Sequence, residues 1–214
     1  YNRNYRDLPW RNTTDAYKIW LSEIILQQTR VSQGLPYYIN FINAFPSVKD
    51  LANAEEQQIL KLWQGLGYYS RARNLHFTAK YVMENHNGVF PNSYEELLKL
   101  KGIGTYTAAA IASFSSNEPV AVLDGNVFRV LSRVFNVDYD ISQNSSKKYF
   151  IELATKVLSK SKPDIHNQAI MEFGALQCVP KSPNCVECIF NNSCEAFKLK
   201  KVSELPVKSK KVKV

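Results

Sequence analysis

Apolar residues recur every three to four positions along most of the chain, which is the spacing of one face of an α-helix. Clusters of Gly, Pro, Asn and Ser interrupt this pattern at short intervals and indicate turns. The pattern predicts helices at residues 16–29, 32–44, 47–52, 55–62, 70–86, 93–99, 105–115, 125–135, 145–160 and 164–176. The stretch PVAVLD has strand character but is too short to form a sheet. We therefore predict an all-α protein with short loops.

Composition and charge are those of a globular intracellular protein. With 214 residues, 45% of them hydrophobic, the chain can bury one large core or two smaller ones. It has neither the roughly 18 consecutive apolar residues of a membrane span nor a signal-peptide core, so we expect no membrane partner. Residues 198–214 hold seven lysines and one glutamate, which supplies +6 of the net charge of +8. The remainder is nearly neutral, so any nucleic acid should be bound through local geometry more than through a broad basic face.

The stretch LLKLKGIGTYTAAAIASF predicts two helices joined by a tight turn at Gly102 and Gly104. Ser93, followed by Glu96, has the spacing of a capping box at the start of the first helix. The two glycines would allow positive φ and close approach of a ligand, and the second helix would direct its N-terminal N–H groups at an anion. This is a helix-hairpin-helix pattern, which binds a DNA backbone; a plain turn between two packed helices is the alternative.

Two carboxylates are candidates for acid and electrostatic chemistry. Asp124 precedes the apolar stripe of a predicted helix, so its default role is the N-cap, where an ionised carboxylate can also face a developing cation. Glu23 lies beside the apolar stripe of the first predicted helix. Desolvation there would raise its pKa and suit it to general acid catalysis; the alternative is a pairing with Lys18 or Arg30 at the edge of the core.

Aromatic and amide side chains form a second group of candidates. In WQGLGYYSRARNL, Tyr68 and Tyr69 lie beside Arg71, a combination that suits base stacking and phosphate contact. The alternative is core packing for one tyrosine and surface exposure for the arginine. Gln28 is predicted to lie in the first helix beside its apolar stripe, where a buried amide must find hydrogen-bond partners.

All four cysteines lie in CVPKSPNCVECIFNNSC, residues 178–194, with the spacing C-x6-C-x2-C-x5-C. Disulfides are disfavoured in an intracellular chain of this size. Structural zinc sites commonly use two paired knuckles, whereas this loop has a single C-x2-C with longer arms. The spacing therefore favours a cuboidal iron–sulfur cluster, with zinc as the alternative.

Several separated motifs together resemble the endonuclease III superfamily of DNA glycosylases, and within it the adenine DNA glycosylase family. They are LPWR, WLSEIILQQTRV, GLGYYSRARNL, LKGIGTYTAAAI, VLDGNV and the cysteine loop, and they extend from Leu8 to about Pro206. The resemblance implies a two-lobed helix-hairpin-helix fold with a 4Fe-4S cluster on Cys178, Cys185, Cys188 and Cys194. It also implies a six-helix domain at 8–118, an iron–sulfur domain made of 1–7 and 119–198, and a basic linker or tail at 199–214.

The resemblance implies that a monomer excises adenine mispaired with 8-oxoguanine or G in double-stranded DNA. Glu23 is similar to the acid that protonates the adenine. Asp124 resembles the carboxylate that stabilises the oxocarbenium sugar or bonds to it transiently, and Asn126 the residue that orients this site. Bifunctional relatives have a lysine at the position of Tyr106 and use its amine for strand cleavage, so a monofunctional enzyme that leaves an abasic site is expected.

The resemblance also assigns contacts with DNA. Gln28 and Tyr68 are similar to residues that intercalate when the base leaves the stack. Trp10 and Arg11 are similar to residues around the flipped adenine. Two other functions stay open: a mismatch thymine glycosylase of the same superfamily, and a non-catalytic iron–sulfur module that binds DNA.

Overall fold

The computed structural model describes residues 4–209, and every regular element in that range is helical. The predicted all-α class is confirmed, and within the described range PVAVLD is irregular chain. The protein divides into two compact units: Asp7–Glu118, named the N-terminal unit, and the residues up to Arg6 together with those from Pro119 onward, named the C-terminal unit. The first three residues of the predicted iron–sulfur domain and the last five of the predicted tail lie outside the described residues.

The helices of the N-terminal unit follow a short 3-10 turn at Pro9–Arg11. They are α1 (Ala16–Ile25), α2 (Val31–Ala44), α3 (Val48–Asn53), α4 (Glu56–Trp63), α5 (Ser70–Asn85), α6 (Tyr94–Leu97) and α7 (Thr105–Ser116). Each corresponds to a predicted helix, because the apolar periodicity of these segments matches the faces that they bury.

Helix α1 packs against α7 at the centre of this unit. Every residue of α1 except Lys18 is buried. The contacting part of α7, residues 107–113, consists mainly of alanines and is also buried, since small side chains let the two helices approach closely. The largest fully buried side chains around them include Trp20, Trp63 and Phe41. Burial of each such side chain stabilises the fold by roughly 1.5–3 kcal/mol.

Two predictions about helix ends are wrong. Helix α1 ends at Ile25 and not at residue 29, and Gln28 has a φ of +56°, which no right-handed helix contains. Gln28 therefore lies in a loop. Ser93 is at the N-cap of α6, but its side chain makes no capping hydrogen bond. The carboxylate of Glu118 instead accepts a hydrogen bond from the Tyr94 backbone N–H at 2.8 Å.

The C-terminal unit contains α8 (Gly125–Val134), α9 (Asn144–Val157), α10 (Pro163–Leu176) and α11 (Glu195–Lys198). Helix α8 packs against both α10 and α11. One apolar cluster forms around Leu131 and Phe150, and a smaller one forms around Ala196 and Leu205. Helix α8 also buries Arg129 and Arg133.

Candidate active site and nucleic-acid interface

Glu23 lies on the buried face of α1 and is only 9% exposed. The predicted position beside the apolar stripe is therefore what the structure shows. Asp15 caps this helix, since its carboxylate accepts a hydrogen bond from the Tyr17 backbone N–H at 2.9 Å. The carboxylate of Glu23 is thus carried by a capped helix in the centre of its unit.

Asp124 is the N-cap of α8, as its position in the sequence predicts. One carboxylate oxygen accepts a hydrogen bond from the Val127 backbone N–H, and the other accepts one from the Asn126 side-chain amide, both at 2.7 Å. Burial has the largest effect on this group and raises its pKa. The two hydrogen bonds and the charge of Arg129 lower the pKa and so offset part of that effect. The carboxylate is fixed in orientation at the positive end of a helix.

Asn126 is held at both ends of its side-chain amide. It donates to Asp124, and its oxygen accepts a hydrogen bond from Arg129 Nη2 at 2.8 Å. Arg129 also donates to the carbonyls of Gly174 and Cys178, both at 2.7 Å. A chain of hydrogen bonds therefore links the first cysteine residue to the Asp124 carboxylate. Sequence reasoning missed Arg129, because it lies on the polar side of α8, opposite the apolar stripe, where an arginine is normally exposed.

Close packing fixes Asn126 from the opposite side. A Cβ atom at Gly174 would lie 2.7 Å from the Cβ of Asn126 and 3.0 Å from its backbone oxygen. Only glycine at this position lets α10 approach the start of α8 so closely. Gly174 is a second residue that supports the site and that the sequence analysis did not identify.

The hairpin between residues 101 and 105 has one glycine with a special backbone. Gly102 has a φ of +81°, whereas Gly104 has an ordinary φ of −93° and precedes α7 as its N-cap. The expectation of positive φ at both glycines is therefore wrong for Gly104. No atom lies within 4 Å of where a Gly104 Cβ would be, and no side chain caps α7. The start of α7 thus leaves room for an anion, and Tyr106 lies in this first turn, half-buried.

Gln28 and Tyr68 lie in two separate loops of the N-terminal unit. Both have positive φ, +56° and +45° respectively, and Tyr68 is 67% exposed. Arg71 is half-buried. Its guanidinium donates hydrogen bonds to backbone carbonyls of both loops. These bonds engage both Nη atoms of Arg71, and its phosphate contact stays a prediction.

Trp10 and Arg11 lie in the 3-10 turn before α1. The Trp10 ring packs edge-on against Tyr38, with ring centroids 5.1 Å apart, and both predicted pocket residues are half-buried. The turn contacts α1, the helix that carries Glu23. Their contact with a flipped base stays a prediction.

The four cysteines line one pocket together with Arg133 and Phe190. They are free thiols, and burial raises the pKa of Cys185 and Cys188. Among the described residues, no three His, Cys, Asp or Glu side chains lie close enough together to hold a single metal ion. Four thiols that line one pocket without converging on one point suit a cuboidal cluster better than a single zinc ion, because a cluster spreads its ligands over several irons. The residues present therefore fit a 4Fe-4S group.

Arg133 holds the cysteine loop from within. Its side chain is 2% exposed and donates hydrogen bonds to the carbonyls of Val179, Pro180 and Leu205 at 2.8–3.0 Å. Its Nη1 also lies 3.4 Å from Cys178 Sγ. A buried guanidinium of this kind suits a pocket of thiolates, which carry negative charge when they bind metal.

A family model described as the HhH-GPD superfamily of base excision DNA repair proteins matches residues 21–167. The chain belongs to this superfamily. In the part of the chain that the structure describes, no helix could span a membrane.

Within the superfamily, the predicted resemblance to the adenine DNA glycosylases is confirmed. The chain is 41% identical over 210 residues to the adenine DNA glycosylase of Buchnera aphidicola subsp. Baizongia pistaciae, covering 96% of this chain and 58% of that protein. The human adenine DNA glycosylase is 40% identical over 205 residues, covering 92% of this chain and 38% of the relative. The chain therefore spans about two-fifths to three-fifths of the length of these relatives.

A solved structure of a thermostable thymine-DNA glycosylase matches with a TM-score of 0.85 at 30% identity, covering 92% of this chain and 91% of that one. A non-covalent endonuclease III–DNA complex matches with a TM-score of 0.77 at 20% identity, which shows a shared fold.

Proposed function

We propose that this chain is a DNA N-glycosylase that excises adenine mispaired with 8-oxoguanine or G and leaves an abasic site. One observation carries the proposal: two hydrogen bonds of 2.7 Å fix the Asp124 carboxylate at the start of α8. A fixed negative charge of this kind stabilises a positively charged sugar without reorganisation during the reaction. The similarity to adenine DNA glycosylases supports adenine as the base.

In the proposed reaction, Glu23 donates a proton to the adenine, which makes the base a better leaving group. As the glycosidic bond breaks, Asp124 stabilises the oxocarbenium sugar, and Asn126 keeps the carboxylate oriented. Water then attacks C1′ of the sugar, and the proton that it loses regenerates the Glu23 acid. Tyr106 supplies no amine at the hairpin, so no Schiff base forms and the product is an abasic site with both strands intact.

DNA binding is proposed to combine three features of the N-terminal unit. The hairpin at Gly102 and Gly104 would hold a backbone phosphate at the start of α7. Gln28 and Tyr68 would insert where the adenine leaves the stack, and Trp10 and Arg11 would contact the flipped base.

The four cysteines of the C-terminal unit would hold a 4Fe-4S cluster, which would stabilise the loop at residues 178–194.

Base release from duplexes that contain A:8-oxoguanine, A:G or T:G tests the proposal. The A-containing duplexes are expected to lose adenine, whereas Glu23→Gln and Asp124→Asn should each lower the rate by about 10²-fold or more, because a positioned acid or charge contributes that much. Glu84→Gln and Asp138→Asn are matched controls at exposed carboxylates and should change little. DNA binding, followed by fluorescence anisotropy, should persist in all four variants.

Each alternative has its own outcome in this assay. Preferential release of thymine from T:G would favour the thymine glycosylase, to which the chain is 30% identical. DNA binding without base release by the unaltered protein would favour the non-catalytic module. Strong covalent trapping with borohydride would contradict the monofunctional assignment of Tyr106.

A further inference from the structure

Arg71 on α5 fixes the loop that carries Gln28. Its Nη1 donates hydrogen bonds to the carbonyls of Ile24 at 3.0 Å, Ile25 at 3.3 Å and Gln27 at 2.6 Å. The first two carbonyls belong to the last two residues of α1, where helical carbonyls carry negative partial charge, and the third lies two residues beyond the helix end. The guanidinium therefore binds the end of the helix and the residue that directly precedes Gln28.

The same guanidinium fixes the loop that carries Tyr68. Its Nη2 donates to the carbonyls of Leu66 at 3.1 Å and Gly67 at 3.4 Å. The guanidinium carbon also lies 5.0 Å from the centroid of the Trp63 ring and 5.8 Å from that of Tyr68, within the range of cation–π contact. The Trp63 indole N–H strengthens the loop by donating to the Gly67 carbonyl at 2.9 Å.

Both loops need such support, because Gln28 and Tyr68 have left-handed backbone conformations. This conformation costs a residue other than glycine roughly 1–2 kcal/mol, so neighbouring groups must hold it. Burial lowers the pKa of Arg71, yet an arginine stays charged in proteins. Its planar fork of donors can reach carbonyls on two loops, which the single ammonium of a lysine cannot do.

We infer that Arg71 is a positioning residue that sets Gln28 and Tyr68 in register for insertion into DNA. The inference rests on the proposed function, in which these two side chains fill the space that the flipped adenine leaves. Arg71 itself touches neither base nor sugar in this role. Its loss should therefore slow extrusion of a stacked adenine, and should affect far less the cleavage of an adenine that is already unpaired.

Single-turnover rates on two duplexes test this difference. One duplex contains A:G, and the other contains adenine opposite an abasic site, where extrusion costs less. Arg71→Lys should lower the rate at least about tenfold on A:G, and no more than about threefold on the unpaired adenine. Arg73→Lys is the matched control on the same helix, where Arg73 faces Glu56 at 3.4 Å on the surface, and it should keep both rates within about twofold.

A double-mutant cycle adds a readout that a purely structural role would not move. In a Gln28→Ala/Tyr68→Ala background, Arg71→Lys should cause no further loss on A:G, since the residues through which it acts are absent. If Arg71→Lys fails to fold, as judged by its thermal unfolding midpoint, Trp63→Phe replaces it. Trp63→Phe removes the hydrogen bond to the Gly67 carbonyl, and it should likewise lower the rate more on A:G than on the unpaired adenine.

Equal losses on both duplexes, or additive losses in the cycle, would overturn the role of Arg71. An unaltered protein that releases no adenine from either duplex would contradict the proposed function itself. The two failures are therefore distinguishable.

Discussion

The two units of this protein are stabilised in different ways. The N-terminal unit has a large apolar core around α1 and α7, with aromatic side chains such as Trp20 and Phe41 at its centre. The C-terminal unit has smaller apolar clusters and buries Arg129 and Arg133, whose guanidiniums donate hydrogen bonds to carbonyls at the start of the cysteine loop. Apolar burial thus supports the helices, and arginine fixes irregular chain that apolar contacts cannot orient. Arg71 fixes irregular chain in the same way in the N-terminal unit, where that chain carries Gln28 and Tyr68.

Loss of the proposed cluster should produce the largest loss of stability, and this loss should be confined to the C-terminal unit. Cys188→Ser removes one of the four thiols, and metal binding to a structural site contributes on the order of 10 kcal/mol to folding. We expect amide hydrogen exchange to accelerate throughout α8 and α11 while α1 and α7 stay protected. Visible absorbance should be lost in the same variant. Ser193→Ala, in the same loop, is the control, and equal deprotection of both units would contradict the comparison.

Arg133→Met should cause the next largest loss of unfolding free energy, about 3–5 kcal/mol, because it leaves three carbonyls, one of them fully buried, without their charged donor. Chemical denaturation with exchange-resolved readout would measure the change in the free energy of unfolding of the C-terminal unit. Lys147→Met, an exposed cation on α9, should change it by less than about 0.5 kcal/mol. Similar losses in both variants would show that the buried guanidinium has no special role.

Gly174→Ala should cost about 1–3 kcal/mol, since the new Cβ would collide with Asn126 at 2.7 Å. Adenine release should fall as well, because Asn126 supports Asp124. Gly125→Ala is the control for stability, as no atom lies within 4 Å of its Cβ position. Unchanged stability of the Gly174 variant, by thermal unfolding, would mean that α10 can shift away from α8 without cost.

The smallest effect should come from His76, a titratable group in the apolar unit that is 5% exposed. Burial is the main cause that lowers its pKa below 6.5, and Lys80 adds to this, whereas hydrogen bonds to the backbone of Ala52 and Ala54 and the charge of Glu56 oppose it. The unfolded chain therefore binds the proton more readily, so this stability is present above about pH 6.5 and is lost as the pH falls.

His76→Gln removes the titration. Between about pH 7 and pH 5, the free energy of unfolding, measured by urea denaturation, should therefore fall more in the parent than in this variant. A difference that stays constant over this range would contradict the prediction.

Sequence periodicity predicted the helices well, because it reports which faces are buried. It failed where a distant residue decides a local structure. Helix α1 ends at Ile25 with Arg71 bound to its last carbonyls, and Glu118 bonds the backbone at the start of α6. Arg129 and Arg133 bind carbonyls more than forty positions away in sequence, so no local pattern could reveal their role.

The site was predictable only in part. Residue types and spacing indicated Asp124 as a cap, which the structure confirms. They also indicated the cysteine loop as a metal site; its four cysteines line one pocket, and the bound group stays a prediction. The acid role of Glu23 came from its place beside an apolar stripe as well as from the family resemblance. The roles of Asn126 and Tyr106 came from the resemblance alone, and all three stay predictions. The monomeric state and the intracellular location also stay predictions.

The contact between α1 and α7 has a consequence for how damage would be recognised. The proposed general acid Glu23 and the proposed phosphate site at the start of α7 are carried by two buried helices packed directly together. The distance from the held phosphate to the acid is therefore set by the protein and cannot adapt to the substrate. The DNA must bend and unstack to match it, so base pairs that deform at low cost would reach Glu23 more often than well-paired ones. The protein would then discriminate between base pairs by the cost of deforming the DNA, before it makes any contact with the base.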